Sequence, residues 1–202
     1  MKIYQYWTHT AFGLYYGIKE TDNYIITRDK FSSLGTNKKI ISICNPDVEN
    51  VYMYFPLGTT CRLEDIDLVN QEPISRTILC SSQYNIQNYR YPITSEYITE
   101  FTYGQLPKDY LRNLKSSMYC LSPHGHTPDC YRHWEAMHMG CIPITLKHKA
   151  LEGFYDLPIL FLDSWDELTE ELLISKYEEL LPRFNSEKLE EEYWVNLLGT
   201  LS

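Results

Sequence analysis

Hydrophobic and polar positions change rhythm once along the chain. Up to about residue 72, short apolar runs stand apart at 2–7, 24–27, 39–44 and 51–55. Their length and their β-branched and aromatic content read as strands. Gly13, Gly17, Gly35, Asn45-Pro46 and Pro56-Leu57-Gly58 punctuate them as turns. Helical periodicity is weak in this half. Past Gln71-Glu72-Pro73 the pattern alternates. Strands are predicted over 77–81, 118–122, 141–146 and 158–162. Helices are predicted over 107–116, 128–139, 165–173 and 186–198. Thr127 stands where an N-cap belongs, Pro128 at the first helical position and Gly140 just past the end. Asp163 or Ser164 caps the helix after it, with Leu168, Leu172 and Leu173 on one side. Leu189, Tyr193, Leu197 and Trp194 supply the stripe of the last helix. Strands alternating with helices mean βαβ units on a parallel sheet, an α/β fold.

Charge narrows the partners. Lys and Arg total 18 against 27 Asp and Glu, a formal net charge of -9. Such a surface repels phosphate backbones, so no nucleic-acid partner is expected, and no basic run offers a membrane patch. No apolar run approaches the roughly 20 residues that span a bilayer, so no membrane insertion is expected. The first 17 residues lack a smooth apolar core and a small-residue cleavage site, which points to a cytoplasmic protein. Six cysteines without a CxxC pair read as free buried thiols. Only three alanines occur, which turns the reading away from an Ala-rich bundle.

The segment 117–145 carries the chemistry. It reads strand, tight loop, helix, strand, and ligands of parallel α/β sheets bind where a strand's carboxyl end meets a helix's amino end. In the loop Pro123-His124-Gly125-His126, which follows Ser122, Gly125 permits a close approach or a positive φ, and the helix start offers free N–H groups to a diphosphate; Ser122 to Gly125 are donor-site candidates. Asp129, Arg132 and Glu135 recur every three residues and would form one polar ridge. Arg132 suits paired contacts to a diphosphate, and Glu135 suits the two hydroxyls of a ribose. The competing reading is a solvated i,i+3 salt bridge worth a few tenths of a kcal/mol. His124 and His126 are hydrogen-bond donors or ordinary loop histidines. His133 and His138 stand five apart, roughly 140° around a helix, so a shared metal is disfavoured and none is expected. No G-x-S-x-G elbow, phosphate-binding P-loop or G-x-G-x-x-G after a strand is present. Asp65-Ile66-Asp67 has D-x-D spacing but follows no hydrophobic run.

This segment resembles the exostosin-type glycosyltransferases of the GT-B fold. The residues are Tyr110-Leu111, Lys115 to Gly125, Asp129-Cys130-Tyr131-Arg132-His133-Trp134-Glu135-Ala136 and Gly140-Cys141-Ile142-Pro143-Ile144. Asp156-Leu157-Pro158-Ile159 and Asp163-Ser164-Trp165 extend the likeness, which covers about 107–170. The resemblance implies a shortened GT-B-like architecture of two Rossmann-like lobes. Residues 1–72 would be a reduced acceptor-side lobe and 73–202 the nucleotide-sugar donor lobe, with the last helix packed back on the first. It implies transfer from a nucleoside-diphosphate sugar, a UDP-sugar first among donors, to a glycan hydroxyl, with no cofactor and no metal. Arg132 would hold the diphosphate, Glu135 the ribose, and the 123–125 loop would lie beside the phosphates. GT-B enzymes are usually much longer. The short first half therefore implies either a pared-down lobe or a partner, a second copy or another glycosyltransferase. It also leaves a second reading, a non-catalytic module that binds a nucleotide sugar or glycan. His9, directly after the first strand, is the candidate general base for an inverting transfer, in competition with Asp22, Asp29, Asp47 and an ordinary surface-loop role.

Overall fold

Continuous apolar runs become strands buried on both faces. The computed structural model describes residues 18–20, 24–27, 38–43, 51–85, 93–125 and 127–200. The run expected as a strand over 2–7, together with His9, Asp22, Asp29, Cys44, Asp47 and His126, lies outside them. Four strands form a first sheet: β1 (Ile18–Glu20), β2 (Tyr24–Thr27), β3 (Lys39–Ile43) and β4 (Val51–Phe55). They lie in that order. The β1–β2 pair is antiparallel and the others parallel.

The helix α1 (Leu63–Gln71) leads to the second half. There, β5 (Ile78–Ser82), β6 (Ile98–Glu100), α2 (Pro107–Lys115), β7 (Ser117–Leu121), α3 (Tyr131–His138), β8 (Ile142–Leu146), β9 (Leu160–Leu162), α4 (Glu170–Leu180) and α5 (Glu191–Gly199) follow in turn. The second sheet runs β6-β5-β7-β8-β9, and every pair is parallel. The chain leaves β5 to one side for β6 and returns to the other side for β7. The gap between β5 and β7 is therefore the switch point, where the connections diverge and a crevice opens. The architecture is α/β, with parallel strands flanked by helices in the Rossmann-like manner.

Three apolar clusters hold the helices to the sheets. One joins Ile41, Phe55 and Leu57 of the first half to Trp134, Met137, Phe154 and Trp194. Phe55 and Phe154 each meet Trp194 edge-on, at 5.5 and 5.8 Å. A second packs Tyr119, Leu121, Ile142 and Ile144 against Leu168, Leu173 and Leu180. Tyr119 is fully buried and donates its hydroxyl to the Leu173 carbonyl at 2.8 Å. A third seats Ile66 and Val69 of α1 on Leu111, Leu114 and Met139. Each fully buried side chain of this size contributes about 1.5–3 kcal/mol over an exposed one.

Several boundaries differ from the sequence reading. α1 falls in the acidic stretch around Asp65. Its buried positions are few, but Glu64 and Asp65 in the first turn complement the helix dipole. The three-residue edge strands β1 and β6 are too short to leave a pattern. α3 begins at Tyr131 with Cys130 as N-cap, not at Pro128 with Thr127 as cap. Thr127 instead donates its hydroxyl to the Asp129 carbonyl at 2.8 Å, in a turn. The helix expected from 165 splits. Ser164 caps a short 3-10 turn, Leu168 is extended, and Thr169 caps α4 by accepting from the Leu172 amide at 3.1 Å. The last helix likewise begins late, because Glu190 is extended after a 3-10 turn at Glu187–Leu189.

Gly140 ends α3 with φ +67. A Cβ there would press on the Arg76 guanidinium, whose Nε donates to the Ser117 carbonyl at 3.1 Å and whose Nη2 donates to the Met139 carbonyl. Gly140→Ala is expected to cost about 1–2 kcal/mol from the left-handed backbone alone, before any displacement of Arg76. A urea denaturation midpoint equal to that of the parent would show that this turn is not strained by a side chain.

Candidate functional site

The carboxylate of Asp129 is placed first, because the start of α3 is built on it. Asp129 is buried. Its Oδ2 accepts from the Leu57 amide at 2.7 Å, and both oxygens accept from the Trp134 indole N–H, at 3.0 and 3.1 Å. Nδ1 of His133 lies 3.1 Å from Oδ1. These contacts tie the segment after β4 to the first turn of α3. Asp129 is thereby turned inward, before the helix begins, and does not share a helical ridge with Arg132 and Glu135.

Beside this knot opens a cleft of about 880 Å³, lined among others by Thr60, Gln83, Tyr110, Cys130, Arg132 and Glu135. Gln83 follows β5, Tyr110 lies on α2 after β6, and Cys130 to Glu135 follow β7. The cleft therefore sits at the carboxyl ends of the strands, at the switch point. Arg132 lies in the first turn of α3. Its Nε and Nη1 are buried and donate to no partner. Its guanidinium stands over the Tyr84 ring, 5.7 Å from the centroid. Burial alone would weaken its charge. Tyr110, Cys130, Cys120 and Glu135 outweigh that and raise its pKa, so it is a full cation.

The other cations lining the cleft are already paired. Arg62 holds Asp65 at 2.9 Å, and Lys108 lies 3.5 Å from the same carboxylate. Arg112 donates to Glu72 at 2.7 and 2.8 Å and to Asp109 at 2.9 Å. Asp65, the first acid of the D-x-D spacing, is thus a helix-borne partner of two cations. A buried donor left unsatisfied costs about 1–3 kcal/mol, more when charged. Arg132 bears that cost in the wall of the cleft.

Glu135 is 4% exposed and also lines the cleft. Its Oε1 accepts from the Thr60 amide at 3.0 Å, the Thr60 hydroxyl at 2.8 Å and the Thr59 hydroxyl at 3.3 Å. Its Oε2 accepts from the Tyr110 hydroxyl at 2.8 Å. A carboxylate offers about four lone-pair sites. Any further hydroxyl must replace one of these.

The loop expected beside the phosphates lies apart from this cleft. Ser122 and Pro123 are buried. The Ser122 amide donates to the Ile144 carbonyl at 2.8 Å, and its hydroxyl lies 3.2 Å from the Cys130 sulfur. His124 is pushed down to about 4, by burial first and then by the charge of His133, so it is neutral and its Nε2 donates to the Leu146 carbonyl at 3.0 Å. Gly125 does not take a positive φ; among the described residues Gly58, Gly104 and Gly140 do. His133 has its ring nitrogens against Asp129 and the Ser122 carbonyl, the latter at 3.3 Å, while His138 is buried on the same helix and held down to about 3 by burial. Thr60, Gln83 and Cys130 join the site without having been foreseen. Thr60 and Gln83 come from distant segments. The spacing of Cys130 and His133, cap and third helical residue, was the one local signal.

Residues 94–191 match the family model of the RXYLT1 C-terminal domain, which is of an exostosin-like glycosyltransferase family. The match covers just under half of the chain and spans β6 to the start of α5. It contains Arg132, Glu135 and most of the cleft, and it suggests a glycosyltransferase-like domain.

Asp129→Ala would strand the Leu57 amide, the Trp134 indole and His133 together. A loss of about 3–5 kcal/mol is expected, with Trp134 emission shifted to the red. Urea denaturation followed by fluorescence measures both; unchanged values would remove Asp129 from its structural role.

Proposed function

We propose that this chain transfers a sugar from a nucleoside-diphosphate sugar, a UDP-sugar first among donors, to a hydroxyl of a glycan acceptor. The observation that carries the reading is Arg132. It is a buried cation with two free donors at the switch-point crevice of a parallel sheet, next to the start of a helix. That arrangement lacks an anion with several oxygens in a fork geometry, which a diphosphate supplies. As the donor breaks, charge collects on the leaving diphosphate, and a cation already in place stabilises it without reorganising. Arg132 would provide this charge in place of a metal. The pairing of Asp65 with Arg62 and Lys108 supports that, since it takes the carboxylate away from cation binding. Glu135 would receive the ribose if its hydroxyls replaced those of Tyr110 and Thr60, an exchange of one hydroxyl for another that keeps the count of hydrogen bonds. His9 remains the proposed base for an inverting transfer.

Calorimetric titration with UDP-, GDP- and dTDP-sugars tests the reading. Arg132→Ala is expected to weaken donor binding about 10–100-fold, the worth of a charge-assisted paired contact, with an unchanged circular dichroism spectrum. Parent-like binding by the variant would overturn the assignment. Binding without transfer of a labelled sugar would leave a non-catalytic binding module.

A cation held for a ligand costs stability while the ligand is away. Arg132→Met is therefore expected to raise the Tm of the ligand-free protein by a few degrees, about 1 kcal/mol in a domain of this size. A lowered Tm would show that Arg132 supports the fold.

A further inference from the structure

We propose that Cys130 is a nucleophilic thiolate that forms a mixed disulfide with small, carboxylate-bearing disulfides of the glutathione class, and that this modification seals the cleft. Cys130 is half-buried and lines the cleft beside Arg132. It is the N-cap of α3, where the positive end of the helix dipole favours a negative sulfur. The Ser122 hydroxyl lies 3.2 Å from the sulfur and donates to the thiolate. His133 packs behind, with Nδ1 3.1 Å from Asp129 and Nε2 3.3 Å from the Ser122 carbonyl. Nδ1 also lies 3.4 Å from the Cys130 amide N–H, while the Asp129 carboxylate and the Ser122 carbonyl face the two ring nitrogens and favour the imidazolium.

The charges agree with the geometry. Burial pushes the thiol up, but His133 and Arg132 outweigh it and bring it down to about 7. Burial pushes His133 down, but the Cys130 sulfur and Asp129 outweigh that and hold it up at about 10. Tyr110 and Glu135 face the cleft from α2 and α3. Burial, joined by the neighbouring negative charge of Glu135, keeps the Tyr110 phenol protonated. Cys61 also lines the cleft, but burial and then the charge of Glu135 push its thiol up. Cys80, Cys120 and Cys141 are buried in the core, and burial pushes Cys80 and Cys141 up.

A second, independent observation points to the reagent. Arg132 lines this same cleft with its Nε and Nη1 buried and unpartnered, a charge that a carboxylate of the reagent would satisfy. In the reaction the Cys130 sulfur attacks one sulfur of the disulfide. The S–S bond breaks, and its electron pair leaves on the second sulfur, which takes a proton from water. Cys130 is oxidised and half of the reagent is reduced, so no other oxidant enters. Sealing of the cleft rests on the donor reading; the thiol chemistry does not.

The test treats the full chain with oxidised glutathione from about pH 5.5 to about 9 and maps the adduct by mass spectrometry. One glutathionyl group on Cys130 is expected, with a rate whose midpoint lies near pH 7, and Cys130→Ser abolishes it. Arg132→Gln is expected to slow oxidised glutathione roughly three- to ten-fold, and the uncharged bis(2-hydroxyethyl) disulfide by clearly less. Labelling at another cysteine, a midpoint near the ordinary value of about 8.5, or equal slowing of both reagents would overturn the proposal. The labelled protein is then titrated with UDP. Loss of binding that returns on reduction supports sealing, and UDP bound equally by the labelled protein overturns it. If the unlabelled protein binds no nucleotide, the donor reading fails while the labelling result stands.

Discussion

The buried carboxylate of Asp129 is the constraint on which the rest of the site depends. It takes the Leu57 amide from the segment after the first sheet and the Trp134 indole and His133 from α3. One group thus fixes where the first half meets the second and where α3 begins. Because Asp129 is used inward, the helix starts at Tyr131, and the first turn presents Arg132 to the crevice. Trp134, on the opposite side of the turn, goes into the core with Phe154 and Trp194. Orientation of the functional cation and packing of the core are the same event.

Two charged side chains one turn apart on α3 meet opposite fates. Glu135 is saturated by hydroxyls and an amide from Thr59, Thr60 and Tyr110, so its charge is settled within the protein. Arg132 has no such partners for two of its donors. The difference separates a residue that shapes the cleft from one that is prepared for a ligand. Spacing alone could not make that distinction, since it placed both on one ridge.

The second half was legible where apolar runs are continuous and bounded by Pro or Gly. Residues of β7 and β8 are buried on both faces, and such strands need no alternation to be read. Gly140 declared its turn because most residues with a Cβ take that left-handed backbone only with strain. What escaped was decided by partners far along the chain. The start of α3 moved three residues because Asp129 serves Leu57, 72 positions away. Glu135 is occupied by Thr60, 75 positions away. α1 is a helix because Ile66 and Val69 find Leu111 and Leu114, not because its own pattern is strong. The strands β1 and β6 contain three residues each, and pairing with longer neighbours defines them.

The position of β5 has a consequence for synthesis. Both neighbours of this inner strand, β6 and β7, are encoded after it. A ribosome adding about 5–20 residues per second needs roughly 2–8 s to pass from the end of β5 to the end of β7. Until β6 is made, the segment Ile78–Ser82 has both hydrogen-bonding edges open, and the edge that β7 covers stays open for the whole interval, a template for another nascent chain. Yield in a cell will therefore respond to translation speed and chaperone supply across this stretch more than to the strength of the finished core.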